Sequence, residues 1–236
     1  MLRKLFRISF LFGFLGFLYP FSAFAQELTD LRKLVDEARL TFENFVRNPG
    51  HSWLQDNVKH AKGVFLIPSL GEAGYFVGGS LGNAVLLLRD EQTGQWSEPA
   101  FYRLVGGTFG FQIGASKSEV LGLVMTQRGV ESLLGSTVIL GTGASVAIGP
   151  VGGGISGGVS PRIATDFLTF ASSKGAMINL SLGGTVVAVR GAAHEVYYGE
   201  RVGPRDILID RKVRNWYSDR IRKAATEAAG GKWIPE

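Results

Sequence analysis

The feature that most constrains the fold of this chain is a change in the spacing of its apolar residues near Gly63. Before that point, from Leu28 to Val46, they recur every three or four residues, which is the spacing of one apolar helical face. After it they alternate with polar residues or glycine, as in Phe101–Ile113 and Ala176–Val189, which is typical of half-buried strands. The sequence therefore predicts an N-terminal helix followed by a β-rich body.

Further strand-like runs are separated by short polar turns, and together they predict an antiparallel sheet of about seven strands that curls or closes. The 33 glycines of the chain fit sharp bending and close backbone approach within such a sheet. Gly141–Gly158 is predicted to be a mobile loop between strands, because it holds eight glycines in 18 residues. The further runs are Val64–Ile67, Tyr75–Leu88, Val120–Met125, Val138–Leu140 and Ser145–Ile148.

Helices are predicted elsewhere as well. Ser52 caps a short second helix, and Thr126 caps another that extends to Leu134. An amphipathic helix from about Asp210 to Ala229 closes the chain. The predicted fold class is therefore α+β: a twisted, barrel-like antiparallel β-sheet with N-terminal and C-terminal helices.

Residues 1–25 have the pattern of a secretory signal peptide. A basic start is followed by the apolar run Ile8–Leu18 and by the cleavage signature Ala23-Phe24-Ala25, so cleavage is predicted after Ala25. An uncleaved membrane anchor is the alternative, because no charge occurs between Ile8 and Ala25. Residues 26–236 would then form a single exported domain in the periplasm or cell envelope.

The charge balance and the lack of cysteine exclude several classes of protein. The signal segment holds three of the 25 basic residues, so 22 remain against 20 acidic residues, a net charge of +2. We therefore expect no nucleic-acid partner. With no cysteine, the chain has no disulfide framework, no thiol nucleophile and no cysteine-attached lipid.

Three apparent catalytic motifs have a simpler explanation in the glycine content. A hydrolase elbow needs its serine between a strand and a helix, whereas Ser80 lies within a strand pattern and Ser156 within a glycine-rich loop. Gly152–Gly157 matches the G-x-G-x-x-G sequence pattern of dinucleotide-binding folds, but no helical pattern follows it. We therefore predict a protein that is not an enzyme and needs no cofactor.

Metal binding is not expected either. The chain has three histidines, and none has a metal-ligand spacing with carboxylates. They are interpreted as surface or helix-capping residues: His51, His60 and His194.

The C-terminal helix is basic, with a net charge of +4 from Asp210 to Lys223. A basic amphipathic helix with Trp and Tyr on its apolar side suits an anionic membrane surface. The alternative is a helix that packs on the sheet and leaves its charged face in solvent. The candidate membrane-surface residues are Arg211, Lys212, Arg220 and Lys223.

Six short blocks, in order along the chain, resemble the successive blocks of the SYLF domain. They cover about Leu28 to Leu208, which is nearly all of the predicted exported domain. The blocks are Ala61–Phe65, Gly78–Gly82, Trp96–Phe101, Gly110–Gly114, Ser172–Gly175 and Glu195–Gly199.

The resemblance implies a lipid-binding module without catalytic activity. Eukaryotic members bind phosphoinositides and are tied to actin regulation, whereas bacterial members are exported single domains, so we do not expect actin as the partner here. From the matched blocks, Lys62 and Lys174 are the first candidates for contacts to an anionic lipid headgroup, followed by Lys117 and Arg201. The predicted function is non-catalytic binding of lipid or phospholipid at the cell envelope.

Two other functions remain open at this point. An outer-membrane-associated barrel is disfavoured by the helices at both ends and by strands that lack a regular ten-residue repeat. An envelope scaffold could use the same fold to bind a protein partner instead of a lipid.

Overall fold

The computed structural model describes residues 19–74, 77–109, 114–149, 165–178 and 180–230. Its helices are α1 (Tyr19–Arg47), α2 (Ser52–Asn57), α3 (Gln127–Leu134), α4 (Gly191–Tyr198), α5 (Pro204–Leu208) and α6 (Asp219–Ala229). Its strands are β1 (Gly63–Gly74), β2 (Val77–Leu88), β3 (Ala100–Phe109), β4 (Gly114–Val124), β5 (Thr137–Ile139), β6 (Val146–Ile148), β7 (Phe167–Ser173), β8 (Ala176–Ile178) and β9 (Val186–Val189).

Within the described residues, the nine strands form one sheet in the order β5-β9-β3-β2-β1-β4-β7-β6, and β8 pairs with β7. All of these pairs are antiparallel except β6 with β7. The outermost strands β5 and β6 are joined by residues 140–145, in which Leu140 and Ala144 form a β-bridge. Because six residues span at most about 20 Å, the sheet must curl to bring its two edges together. The predicted α+β fold, with a curled antiparallel sheet and helices at both ends, is confirmed.

Alternate residues of the central strands enter two separate apolar cores, because successive side chains of a strand point to opposite faces. The inner core lies within the curl of the sheet and includes Phe65, Leu86, Tyr102, Val120 and Phe167. The outer core lies between the sheet and helices α1, α4 and α6. Its main members are Val35, Phe42, Leu66, Val85, Phe101, Leu121, Phe170, Tyr197 and Ile221.

A β-bulge interrupts β1 next to Pro68. The register of β1 shifts between Leu66 and Ser69 against β2, and between Ile67 and Leu70 against β4. Proline has no backbone N–H to donate to a neighbouring strand, so a bulge accommodates it in a strand that is paired on both sides. Against β4, the bulge lies opposite Glu119, between the pairs Ile67–Val120 and Leu70–Ser118.

One predicted strand is two strands in the structure. Ala176–Val189 was expected to be continuous, but β8 ends at Ile178 and β9 begins at Val186. Between them the chain turns at Gly184, whose φ is 80°, and the N–H of Thr185 donates to the carbonyl of Leu182 at 3.1 Å. The alternation of apolar and polar residues continues on both sides of this turn, so the sequence pattern alone does not reveal the turn.

The C-terminal helix is shorter than predicted. It begins at Asp219 and not near Asp210, and a 3-10 turn at Trp216–Ser218 precedes it. Arg211 has a φ of 52°, which interrupts a right-handed helix, and the side chain of Asn215 accepts a hydrogen bond from the N–H of Tyr217 at 3.1 Å.

Other boundaries also differ from the predictions. The predicted loop Gly141–Gly158 contains strand β6, and residues 150–158 lie outside the described residues. Strand β3 ends at Phe109, whereas residues 110–113 of the predicted strand are not described. The cap of α3 is confirmed, because the side chain of Thr126 accepts a hydrogen bond from the N–H of Gly129 at 3.0 Å.

Most of the predicted targeting segment, residues 1–18, lies outside the described residues, and Ala25 lies within α1. Cleavage after Ala25 therefore stays a prediction. Among the described helices, none combines the length and the apolar character that crossing a bilayer would require.

Candidate functional site

Two of the predicted lysines lie together in one surface groove. Lys117 lies on β4, and Lys174 lies in the turn between β7 and β8. Both line a groove of about 310 Å³, and we call it the lysine groove. The remaining lining residues are Pro68, Ser69, Ser118, Glu119, Ser172 and Gly175.

Local sequence determines where the two lysines lie. Ser173 pairs with Ala176, so Lys174 and Gly175 form a two-residue hairpin turn in which both residues have positive φ, 51° and 80°. Glycine adopts this conformation readily, and paired positive φ values are the requirement of the tightest hairpin turns. The hydroxyl of Ser173 donates to the carbonyl of Lys117 at 3.1 Å, which ties the turn to β4.

Neither lysine of the groove has a carboxylate partner among the described residues. The carboxylate of Glu119 shares the groove and accepts a hydrogen bond from the hydroxyl of Thr41 at 3.2 Å. The groove therefore presents two ammonium groups and one carboxylate, a net positive charge.

Two buried polar atoms near the groove have no hydrogen-bond partner among the described residues. One is the hydroxyl oxygen of Ser118, which is only 2% exposed and faces the inner core with its strand partner Leu70, and the other is Nδ1 of His51, 1% exposed. His51 lines a smaller cavity of about 110 Å³ that shares Glu119, Ser172 and Gly175 with the groove. A buried polar group without a partner costs free energy, so such atoms commonly mark a place where a ligand or water binds.

His51 corrects the expectation that the histidines are surface or capping residues. Its ring packs edge-on against Phe45, with centroids 5.1 Å apart, and against Phe170 at 6.0 Å. Burial lowers the pKa of His51 and favours the neutral imidazole. His194 is also fully buried, and its ring lies next to Phe101 of the outer core.

Lys62 does not join the lysine groove. Lys62 lies next to Gly63, the first residue of β1. Lys117 pairs with Gly71, which is eight residues further along β1, so the two lysines are roughly 26 Å apart along the strand. There Lys62 forms an ion pair with Glu91 and lines a different cleft of about 410 Å³. In that cleft Arg211 lies 3.8 Å from Asp90, so Lys62 and Arg211 both have carboxylate partners.

Arg201 lies apart from both clefts, in the loop after α4. Its side chain is 87% exposed and pairs with the carboxylate of Glu195 at 3.1 Å. Exposed ion pairs of this kind contribute little to stability and hold a side chain weakly.

The candidate membrane-surface residues are partly neutralised by neighbours. Lys212 pairs with Asp206 at 2.6 Å and Lys223 with Glu227 at 3.6 Å, while Arg220 has no ion pair among the described residues. Helix α6 packs its apolar side on the outer core through Ile221, Ala224, Ala225 and Ala228. Contact of its basic face with a membrane stays a prediction.

The predicted serine motifs do not form a hydrolase site in the described residues. Ser80 lies in the middle of β2, is 7% exposed and belongs to the inner face next to Gly106. It is therefore not at a strand-to-helix turn, which an elbow requires. Ser156 lies outside the described residues.

Residues 105–227 match a family model described as Ysc84, Las17-binding protein actin regulator. Over 152 residues the chain is 30% identical to SH3 domain-containing YSC84-like protein 1 of Rattus norvegicus, covering 64% of this chain and 44% of that protein. Over 159 residues it is 30% identical to LAS seventeen-binding protein 3 of Saccharomyces cerevisiae (strain ATCC 204508 / S288c), covering 66% of this chain and 34% of that protein. The match thus spans less than half the length of either relative.

Proposed function

Because this chain belongs to the Ysc84 family, whose domain is the SYLF domain, we propose that it is a non-catalytic binding domain for anionic lipid headgroups, exported to the cell envelope. The observation that carries the proposal is the lysine groove, in which Lys117 and Lys174 have no carboxylate partner among the described residues. The family description names a binding role and not a reaction.

The chemistry of the groove suits a phosphorylated headgroup. Two ammonium groups provide charge-assisted hydrogen bonds to phosphate oxygens. The carboxylate of Glu119, on the same outer face of β4 as Lys117, can accept a hydrogen bond from a headgroup hydroxyl. A cavity of about 310 Å³ lies at the small end of the range for ligand sites, which fits a headgroup and not a whole lipid.

Replacing the two groove lysines tests this function. Lys117→Ala combined with Lys174→Ala should weaken binding to phosphatidylglycerol vesicles by at least about tenfold, because two charge-assisted contacts are lost. The loss should persist at physiological salt, since a directed and partly desolvated contact is screened less than a diffuse one. Co-sedimentation with phosphatidylglycerol and phosphatidylcholine vesicles at two ionic strengths measures it.

The matched control removes the same charge elsewhere. Lys33→Ala combined with Lys59→Ala also deletes two exposed lysines but leaves the groove intact. It should weaken binding only at low salt, as should neutralisation of Arg211, Lys212, Arg220 and Lys223. Equal losses for the groove variant and the control would contradict a headgroup site, and no sedimentation of the wild type would refute lipid binding altogether.

The second candidate function is binding of a protein partner, and the family description favours it. That description names Las17 binding for the family, and in the relatives more than half of the chain lies outside the matched region. If the wild type ignores both kinds of vesicle but retains a defined envelope protein in a pull-down, the scaffold function replaces lipid binding.

A further inference from the structure

Six residues on neighbouring strands form one continuous row across the outer face of the sheet. Directly paired residues of antiparallel strands lie side by side on the same face, so the strand register places them next to one another. Neighbouring members of the row are about 4.8 Å apart, and the row follows the curl of the sheet. We call these residues the outer row: Lys117, Gly71, Leu81, Val105, Val186 and Ile139.

The outer row lies on the half of the sheet that the helices leave uncovered, and it is apolar over four neighbouring strands. Leu81 is 58% exposed, Val105 51% and Ile139 44%. Single exposed apolar residues are common on protein surfaces, whereas a contiguous set marks an interaction site.

The charges around the outer row are basic. Lys117 ends the row and is also part of the lysine groove. Arg103, exposed on β3 two residues from Val105, has no carboxylate partner among the described residues. The described strands that carry the row contain two carboxylates, Glu119 and Glu72. Glu72 is buried on the inner face beside Ser116, so Glu119 alone lies on the outer face.

We propose that the middle of the outer row, Leu81 and Val105 on the adjacent strands β2 and β3, faces an anionic lipid bilayer. These two apolar side chains enter the boundary between headgroups and acyl chains, while Lys117 and Lys174 meet headgroups to one side of them. An apolar surface with a basic rim is complementary to a bilayer with negative headgroups. The inference rests on the proposed function, because the groove and the row share Lys117, and it adds the orientation in which the domain meets the membrane.

A second copy of the chain fits this surface less well. A two-fold interface brings the same patch of both copies together. The unpaired cations Lys117 and Arg103 of both copies would then meet in one interface. On the outer face of the described strands that carry the row, each copy supplies one carboxylate, Glu119, to neutralise them. Like charges brought together oppose association, whereas an anionic bilayer neutralises them.

Site-specific fluorescence tests the orientation, and the chain suits it because it has no native cysteine. An environment-sensitive fluorophore on Leu81→Cys or on Val105→Cys should shift its emission to the blue with phosphatidylglycerol vesicles. The same fluorophore on Glu131→Cys, an exposed position of α3, should not shift. A blue shift that grows with protein concentration in the absence of vesicles would show self-association and overturn the proposal.

A serine variant separates this inference from the proposed function. Leu81→Ser combined with Val105→Ser should lower binding to phosphatidylglycerol vesicles by at least about tenfold, because two apolar side chains no longer leave water on binding. Binding of soluble glycerol 3-phosphate at the lysine groove should be unchanged, and so should the thermal midpoint. Unchanged vesicle binding, or no fluorophore shift at Leu81 and Val105 while the wild type sediments, would overturn the orientation and leave headgroup binding intact. A wild type that binds neither vesicles nor glycerol 3-phosphate would refute both.

Discussion

The buried imidazole of His194 joins helix α4 to strand β3. Its Nε2 accepts a hydrogen bond from the N–H of Phe101 at 2.8 Å, and Nδ1 lies 3.2 Å from the carbonyl of Val202, to which it donates in this tautomer. Both bonds need a neutral ring with its proton on Nδ1. Burial lowers the pKa of His194 to about 4, although the bond to the Val202 carbonyl opposes that shift.

This pKa predicts a loss of stability in mild acid. Since the pKa is about 6.5 in the unfolded chain and about 4 in the folded one, the unfolded chain takes up the proton first as the pH falls. The contribution of His194 is therefore complete above pH 6.5, falls by about 2 kcal/mol between pH 7 and pH 5, and is exhausted near pH 4. Urea unfolding of the wild type and of His194→Gln at pH 7 and pH 5 measures it.

His194→Gln should be less stable than the wild type at pH 7 but should lose less stability on going to pH 5. The buried His51 titrates in both proteins, so comparing them isolates His194. If both proteins lose the same free energy of unfolding between the two pH values, His194 does not titrate as its burial requires.

The sequence predicted part of the candidate site at this scale. Lys174 and Lys117 were predicted because one belongs to a family block and the other follows a turn-like glycine. Glu119 and His51 were not, because their places depend on the register of β4 with β7, where Glu119 pairs with Ser172, and on the packing of the 3-10 turn Pro49–His51 against Phe170. Lys62 was predicted to share the headgroup contact, but local sequence does not show that Glu91 already neutralises it.

At the scale of elements, Asp166 joins three of them through one carboxylate. It is 1% exposed and accepts hydrogen bonds from the guanidinium of Arg128 at 2.6 Å, from the N–H and hydroxyl of Ser145 at 2.8 Å each, and from the hydroxyl of Thr126. Burial alone would raise the pKa of Asp166, but these hydrogen bonds outweigh it and hold the pKa well below its usual range. The carboxylate thereby connects α3, the segment before β6 and the start of β7.

Asp166→Asn should destabilise the domain by about 3 kcal/mol, because one amide oxygen cannot replace a charged carboxylate with several donors around it. Urea unfolding at pH 7 measures the change. The control Asp210→Asn removes a carboxylate that lies 3.4 Å from Lys212 in solvent and should cost less than about 1 kcal/mol. Similar losses for the two variants would contradict the role given to Asp166.

Elements were predictable where the apolar period extends over a whole strand or helix. The period predicted α1, β2 and the capped helix α3. It did not separate β8 from β9, since alternation continues on both sides of the turn at Gly184, and it extended the C-terminal helix across the positive φ of Arg211. Helices α4 and α5 were not predicted, because Arg190 and Gly203 precede them and neither supplies a capping side chain, whereas the equally short α2 and α3 were predicted from Ser52 and Thr126.

At the scale of the whole molecule, curling of the sheet produces both a filled interior and an outer face that is covered by helices only in part. The apolar pattern predicted the sheet and its curl. It did not predict which outward positions α1, α4 and α6 would cover, because that depends on how helices distant in sequence pack on the same strands. The exposed outer row is a consequence of that incomplete cover.

Export belongs to this scale as well, and we predict cleavage after Ala25. Phe24 is 47% exposed, Ala25 is exposed, and apolar packing of α1 on the outer core begins at Leu28, so the described part of the fold does not depend on the side chains of Phe24 and Ala25. N-terminal sequencing of protein from the envelope fraction should begin at Gln26. A sequence that begins at Met1 in the membrane pellet would support an uncleaved anchor.

The central claim, that the lysine groove binds an anionic headgroup, is tested most directly by NMR. Titration of ¹⁵N-labelled protein with glycerol 3-phosphate should produce the largest amide shifts at Lys117, Ser118, Glu119 and Gly175, and Lys117→Ala combined with Lys174→Ala should abolish them. Largest shifts at Lys62 or Arg220, or no shifts in a protein that still sediments with anionic vesicles, would contradict the claim.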